Sequence, residues 1–294
     1  MSATPPRNWG RWGEADERGA ANQITAASVR EAASLVNRGE VIALGQVLDA
    51  STPVPAGRPA PARYMTRDGG DYAAGARLLG RSQIGEDVLT LGTHSGTHID
   101  SLAHVWYEEH LYNGFPQSTV RSAGASRCGI DKLGPLVARG VLLDVAARAG
   151  EPGLSAEHAI SVEDLQAAAS AAGVSVAAGD VVLVRTGWLA RAGGDSQLYW
   201  AGEPGLDLAA AQWLAERDVV AVGADNYAVE VLDAKASAGF PVHELLIRDC
   251  GIPLIEGLVL EELAGAGAGA FLFVASPLPL RGGTASPVNP VAIV

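Results

Sequence analysis

Cysteine is nearly absent. Cys128 and Cys250 are the two among 294 residues, far apart and in no CxxC pattern. That excludes a disulfide framework and leads us to expect two buried thiols in a reducing cytoplasm. Positive charge is scarce as well: Lys+Arg number 21 against Asp+Glu 33, for a net charge of −12. So acidic a surface repels phosphate backbones and anionic lipid heads, so neither nucleic acid nor membrane is an expected partner. No apolar run reaches the roughly 18 residues that span a bilayer. The opening MSATPPRNWGRW has no apolar signal region, in keeping with a cytoplasmic location. There is no GxSxG elbow and no P-loop, which removes support for a serine hydrolase or a nucleotide-phosphate site. The GAGAGAGA run near 264–270 lacks GxGxxG spacing and reads as a turn.

What the chain does have is core material, 48% hydrophobic against 18% charged residues. With no repeat and no obvious linker, one domain over 1–294 is expected, with 1–40 as an amino-terminal extension or arm. A helix is predicted over 26–37, capped by Thr25 or Ser28, and a first strand over 41–48. Residues 51–80, rich in Pro, Gly and Arg, read as a long surface loop. VLLDVA (141–146), VVLVR (181–185), VVAVGAD (219–225), IPLIEGL (252–258) and AFLFVA (270–275) read as buried strands. Helices are predicted over 162–172, where Ser161 and Asp164 form a capping box, over 208–217 and over 242–249. Strands alternating with helices predict a mixed α/β fold.

Four of the six histidines fall within 94–110, in LGTHSGTHIDSLAHVWYEEH. On an extended strand every second side chain shares a face, so His94, Gly96, His98 and Asp100 would point one way. Two imidazoles and a carboxylate on one face suit a divalent metal, and Gly96 would leave room for an ion or substrate near the backbone. His104 can fold back to the same point after a turn at 101–103. Downstream, His243 opens a predicted helix, and Glu256 sits inside an apolar strand. A buried carboxylate costs several kcal/mol unless it is paired or metal-bound, so Glu256 is a candidate ligand. Tyr64, Trp106 and Trp188, with Trp9 and Trp12, are weaker candidates for an aromatic wall around a planar substrate. Residues 185–188 could border the pocket, whereas His110 and His158 read as surface residues.

His94-Ser-Gly-Thr-His98-Ile-Asp100-Ser-Leu-Ala-His104 resembles the signature of the metal-dependent cyclase-family hydrolases, which include bacterial kynurenine formamidase and isatin hydrolase. The resemblance extends to VGADNYAVE around Asp225, PVHELLIRDCGIPLIEGL and the closing SPVNPVAIV. The amino-terminal NWGRWGEADERGAANQIT is similar to the longer members of that family, and Leu102 stands where the compact members commonly have proline. The resemblance implies a swivelling β/β/α domain with a mixed sheet, assembled as a homodimer or homotetramer. It implies His94, His98 and Asp100 as ligands of a first metal. Asp100 would bridge to a second metal held by His243 and Glu256, and His104 would be the proton donor and acceptor. One or two divalent ions are expected per chain, zinc first and manganese as the alternative. The activity implied is hydrolysis of a small amide, a formamide or cyclic amide with an aromatic ring, by metal-activated hydroxide. A lactone hydrolase or cyclase/dehydratase using the same metal, and a metal-binding protein without catalysis, are the alternatives.

Overall fold

A computed structural model describes residues 6–55, 57–77, 80–151, 153–232 and 239–294. Its centre is a nine-stranded mixed sheet. The strands relevant to the site are β1 (Val41–Ala43), β2 (Ala62–Arg67), β3 (Glu86–Thr90), β4 (His98–Asp100) and β5 (Leu136–Asp144). They continue with β6 (Val181–Arg185), β7 (Ala221–Ala224), β8 (Leu254–Glu256), β9 (Ala270–Ala275), β10 (Ala285–Pro287) and β11 (Val291–Ile293). The sheet order is β1-β11-β9-β5-β6-β7-β8-β4-β10, while β2 and β3 pair separately.

β5, β6, β7 and β8 form a parallel core. The other pairings in the sheet, β4 with β8 and β10 included, are antiparallel. The parallel strands bury both faces, which is why VVLVR reads as a continuous apolar run. Val182 and Val184 join one core cluster with Leu143 and Val222, while Val181 and Leu183 join the opposite one with Leu142 and Ile255. Helices α1 (Val162–Ala171) and α2 (Leu208–Ala215) cover the first face through Leu165, Ala168, Ala211 and Leu214. The Ser161/Asp164 capping box predicted for α1 is formed.

The mixed α/β expectation holds, and three local expectations are corrected. The first strand stops at Ala43 rather than running to residue 48. The loop expected over 51–80, of which 56, 78 and 79 lie outside the described residues, contains β2, whose antiparallel partner β3 starts only at Glu86. Such long-range pairing leaves no local signal. The helix expected over 242–249 is a short α-turn, Pro241–His243, running into a π-helical turn, Glu244–Asp249. π-turns recur at functional sites.

The amino-terminal segment lies on its own chain. Asn8 N–H donates to the Asp249 carbonyl, Trp9 Nε1 to the Arg248 carbonyl at 2.8 Å and Ala20 N–H to the Gly251 carbonyl. The Arg248 guanidinium is buried between the Trp9 and Tyr107 rings, 4.5 and 3.8 Å from their centroids. Trp9 therefore clamps the π-turn that follows His243. Among the described residues, no helix is long and apolar enough to cross a membrane.

Just past β7, the buried Asp225 carboxylate accepts from Thr186 N–H, Thr186 Oγ1 and Gly187 N–H at 2.6–2.7 Å, tying the end of β6 to the end of β7. Burial pushes its carboxyl up to about 6, against the downward pull of the Thr186 and Gly187 donors. The native chain thus holds this proton more tightly than the unfolded chain does. The stability Asp225 contributes by protonation is complete below its unfolded value of 3.8 and is lost as pH rises through about 6. Urea unfolding of the protein relative to Asp225→Asn is therefore expected to lose roughly 2 kcal/mol between about pH 4 and pH 6.5. A difference that stays flat with pH would contradict this.

Candidate metal centre

The sequence placed His94 to Asp100 on one extended strand, but the ladder begins only at His98. Residues 93–97 form a turn, with Gly96 in the left-handed region at φ +59. Gly96 does not open space for a ligand, as expected from sequence. A Cβ there would fall 2.3 Å from Leu48 Cδ2, and Gly257, also left-handed, packs against the Gly96 carbonyl. Two side-chain-free turns meet here, and a Cβ on Gly257 would push them apart while one on Gly96 would strike Leu48. Thr97 Oγ1 fastens them by donating to the Gly257 carbonyl at 2.6 Å. The turn swings His94 round until its Nδ1 is 2.8 Å from Asp100 Oδ1, so proximity comes from the turn and not from strand alternation.

β4 pairs with β8 in the register His98 to Glu256, which places the two side chains together across the ladder. His98 Nδ1 donates to the Gly96 carbonyl at 2.9 Å. In the neutral ring the Nε2 lone pair then faces Glu256 Oε2 at 3.0 Å and Asp100 Oδ1 at 3.7 Å. His243 repeats the design. Its Nδ1 is hydrogen-bonded to Glu230, and its Nε2 stands 3.2 Å from Glu256 Oε1 and 3.9 Å from Asp100 Oδ2. The turn at 102–103 returns His104 until its Nε2 is 3.8 Å from Asp100 Oδ2, with its ring 4.1 Å from that of His94. All six predicted residues, His94, His98, Asp100, His104, His243 and Glu256, therefore converge.

The donors fit a divalent cation. Neither Asp100 oxygen has a hydrogen bond although the residue is 0% exposed, and His98 Nε2 is likewise buried without one. An uncompensated buried charge costs about 3–5 kcal/mol, so lone pairs and carboxylates aimed at one point call for positive charge between them. Two three-residue groups, His94/Asp100/His104 and Asp100/His243/Glu256, each bring their ligand atoms within 4.8 Å and share Asp100. Neutral imidazole and carboxylate are the donors that borderline and hard divalent ions accept.

Protonation follows the same charges. Burial alone would lower His98, but Glu256 and Asp100 outweigh it and hold the ring above its ordinary value. The same contest, won by Glu230 and Glu256, pushes His243 up to about 10. Burial and Asp100 would raise Glu256, yet His243 and His98 hold it low. Asp100 is held well below the carboxylate range because His104 and His94 overcome its burial. His104 moves the other way, down to about 4: burial dominates, and His94 and His243 add to it against the pull of Asp100. At neutral pH His104 is an unprotonated imidazole.

A cavity of about 160 Å³ opens onto His94, His104, His243 and Glu256, with Val105, Tyr227 and Phe240 on its walls and Arg58 among its lining residues. The aromatic residues proposed from sequence lie elsewhere. Tyr64 is on β2, 63% exposed; Trp106 bonds Gln117 at the surface; Trp188 is buried against Tyr199. None of the three lines this cavity. Residues 186–187 hold Asp225, and Arg185 reaches Asp144 at 2.9 Å. His158 lies near Asp164.

Sequence reasoning missed Glu230, Tyr227, Phe240 and Arg58. Tyr227 follows β7 at the carboxyl end of the parallel core, where α/β sheets form their sites, and that topology was the available signal. Glu230 is 2% exposed and also accepts from the His243 and Val242 N–H groups, fixing the His243 ring.

Known proteins resemble this chain in sequence and fold. The Cyclase family model matches residues 42–231. An isatin hydrolase from Roseibium aggregatum is 28% identical over 216 residues, 70% of this chain and 73% of that protein. A kynurenine formamidase from Geobacillus thermodenitrificans is 26% identical over 210 residues, 68% of this chain and 76% of that protein. A crystal structure described as that of a novel cyclase superposes with a TM-score of 0.92 at 33% identity, covering 98% of this chain and all of that one.

Glu230 orients a candidate ligand without reaching the cluster itself. Glu230→Gln is expected to weaken zinc binding about 10–100-fold in a chelator competition. Unchanged affinity would remove it from the metal site.

Proposed function

Because this chain belongs to the Cyclase family of hydrolases, we propose that it hydrolyses a small aryl amide, a formamide or cyclic amide, at the His/Asp/Glu cluster. The observation that carries the reading is the buried, hydrogen-bond-free Asp100 carboxylate facing four imidazoles, with a neutral His104 at the mouth of the cavity. The names of the isatin hydrolase and kynurenine formamidase relatives support an amide as substrate. His94, His98, Asp100, His243 and Glu256 would hold the metal, zinc first and manganese as the alternative. The sharing of Asp100 by two ligand groups supports a site for two ions.

When bound, a divalent ion there supplies a Lewis acid that polarises the amide carbonyl and acidifies water. The chain's own residues handle orientation and protons. Val105 and Phe240 offer an apolar wall for the ring. Neutral His104 accepts the proton of the attacking water at Nε2 as oxygen adds to the carbonyl carbon. It returns that proton to the nitrogen as the C–N bond breaks, since an amine leaves poorly unprotonated. The products are an amine and a carboxylic acid, which loses its own proton to solvent, and His104 ends as it began. Acid–base help of this kind is worth roughly 10²–10⁴-fold.

The test uses formanilide with zinc- or manganese-loaded protein. Turnover is expected to stop on chelation and return with metal. His104→Ala should lower kcat about 10²–10⁴-fold while most of the metal stays bound. Full activity in that variant would contradict the assignment, and loss of the metal would make His104 a ligand instead.

A further inference from the structure

Arg58 is the one guanidinium or ammonium group lining the metal cavity among the described residues. It comes from the Pro- and Gly-rich segment before β2, where its N–H donates to the Pro55 carbonyl at 3.0 Å. Its guanidinium carbon lies 5.6 Å from the centroid of the Tyr227 ring, a cation–π distance. Among the described residues, no carboxylate lies within ion-pair distance of it, although the chain carries a net charge of −12 and Arg38, Arg63 and Arg67 each have an acidic neighbour.

The cavity is electrostatically lopsided. Glu256 lines its floor, with Asp100 buried behind His94, His104 and His243 and Glu230 behind His243. Even with a divalent ion in place, these carboxylates leave the floor unwelcoming to a second negative charge. The cation stands over the Tyr227 ring, and its guanidinium N–H groups make no hydrogen bond among the described residues. Those groups match the two oxygens of a carboxylate. Val105 and Phe240 line the space between for an apolar body.

We propose that Arg58 is a specificity-determining residue that selects amides carrying a carboxylate, or a comparable oxyanion, apart from the scissile bond. This rests on the amide-hydrolase reading above and narrows its substrate class. Arg58 holds the anionic end of the substrate while the amide reaches the histidine cluster.

The test compares kcat/KM for formanilide and its ortho-carboxylate derivative in metal-loaded protein. The intact enzyme is expected to prefer the anionic amide about 10–100-fold, the range of a charge-assisted contact. Arg58→Gln should bring the ratio of the two values near one, and Arg58→Lys should retain part of the preference. Metal content and melting temperature monitor folding in each variant. An unchanged ratio in Arg58→Gln would overturn the proposal.

If neither amide is hydrolysed, the reaction assigned above is wrong, and Arg58 is then judged by binding. Benzenesulfonate, a weak ligand for divalent ions, is titrated calorimetrically against neutral methyl phenyl sulfone. At least tenfold weaker binding of the sulfonate alone in Arg58→Gln would support the anion site. Equal binding by the intact protein and the variant would overturn it.

Discussion

Asp100 sits at zero exposure with neither oxygen hydrogen-bonded, ringed by His94, His98, His104 and His243 and facing Glu256. A folded chain does not keep a bare carboxylate inside its core without a compensating charge. The imidazoles alone do not supply it cleanly. His98 commits its Nδ1 proton to a backbone carbonyl and His243 commits its own to Glu230, leaving both Nε2 atoms aimed inward. A cation among them would satisfy these inward-facing donor atoms together.

The surrounding structure holds that arrangement rigid. β4 and β8 pair in the register that juxtaposes His98 and Glu256, and the Gly96 and Gly257 turns let the chain bend sharply enough to recruit His94. The π-turn after His243 is held from outside by Trp9 and the buried Arg248. Asp225 ties the parallel strands at the end from which the cavity wall emerges. Ligands placed on strands and fixed turns, with their second nitrogens already committed, are preorganised for the metal.

The ligand types were legible in the sequence because their spacing is unusual and Glu256 contradicts the apolar run around it. Their geometry was not. Strand alternation placed the right residues together for a partly wrong reason, since the left-handed Gly96 turn makes the approach of His94. The buried strands were legible from their apolar runs, as in residues 181–185 and 270–275, whose bounds match. β2 and β3 were not, because their pairing spans a stretch of Pro- and Gly-rich sequence. The aromatic candidates were chosen by residue type, and type does not encode direction: Trp188 faces the core and Tyr64 faces solvent. Glu230 and Arg58 act through residues remote in sequence, His243 and Tyr227, and that relation exists only once the sheet is folded.

The most direct measurement is divalent-metal content per chain, by elemental mass spectrometry on protein purified without chelators, repeated after zinc or manganese addition. One or two equivalents are predicted, falling sharply when His98 or His243 is replaced by alanine. Protein that carries no metal, and takes up neither zinc nor manganese when supplied, would contradict this.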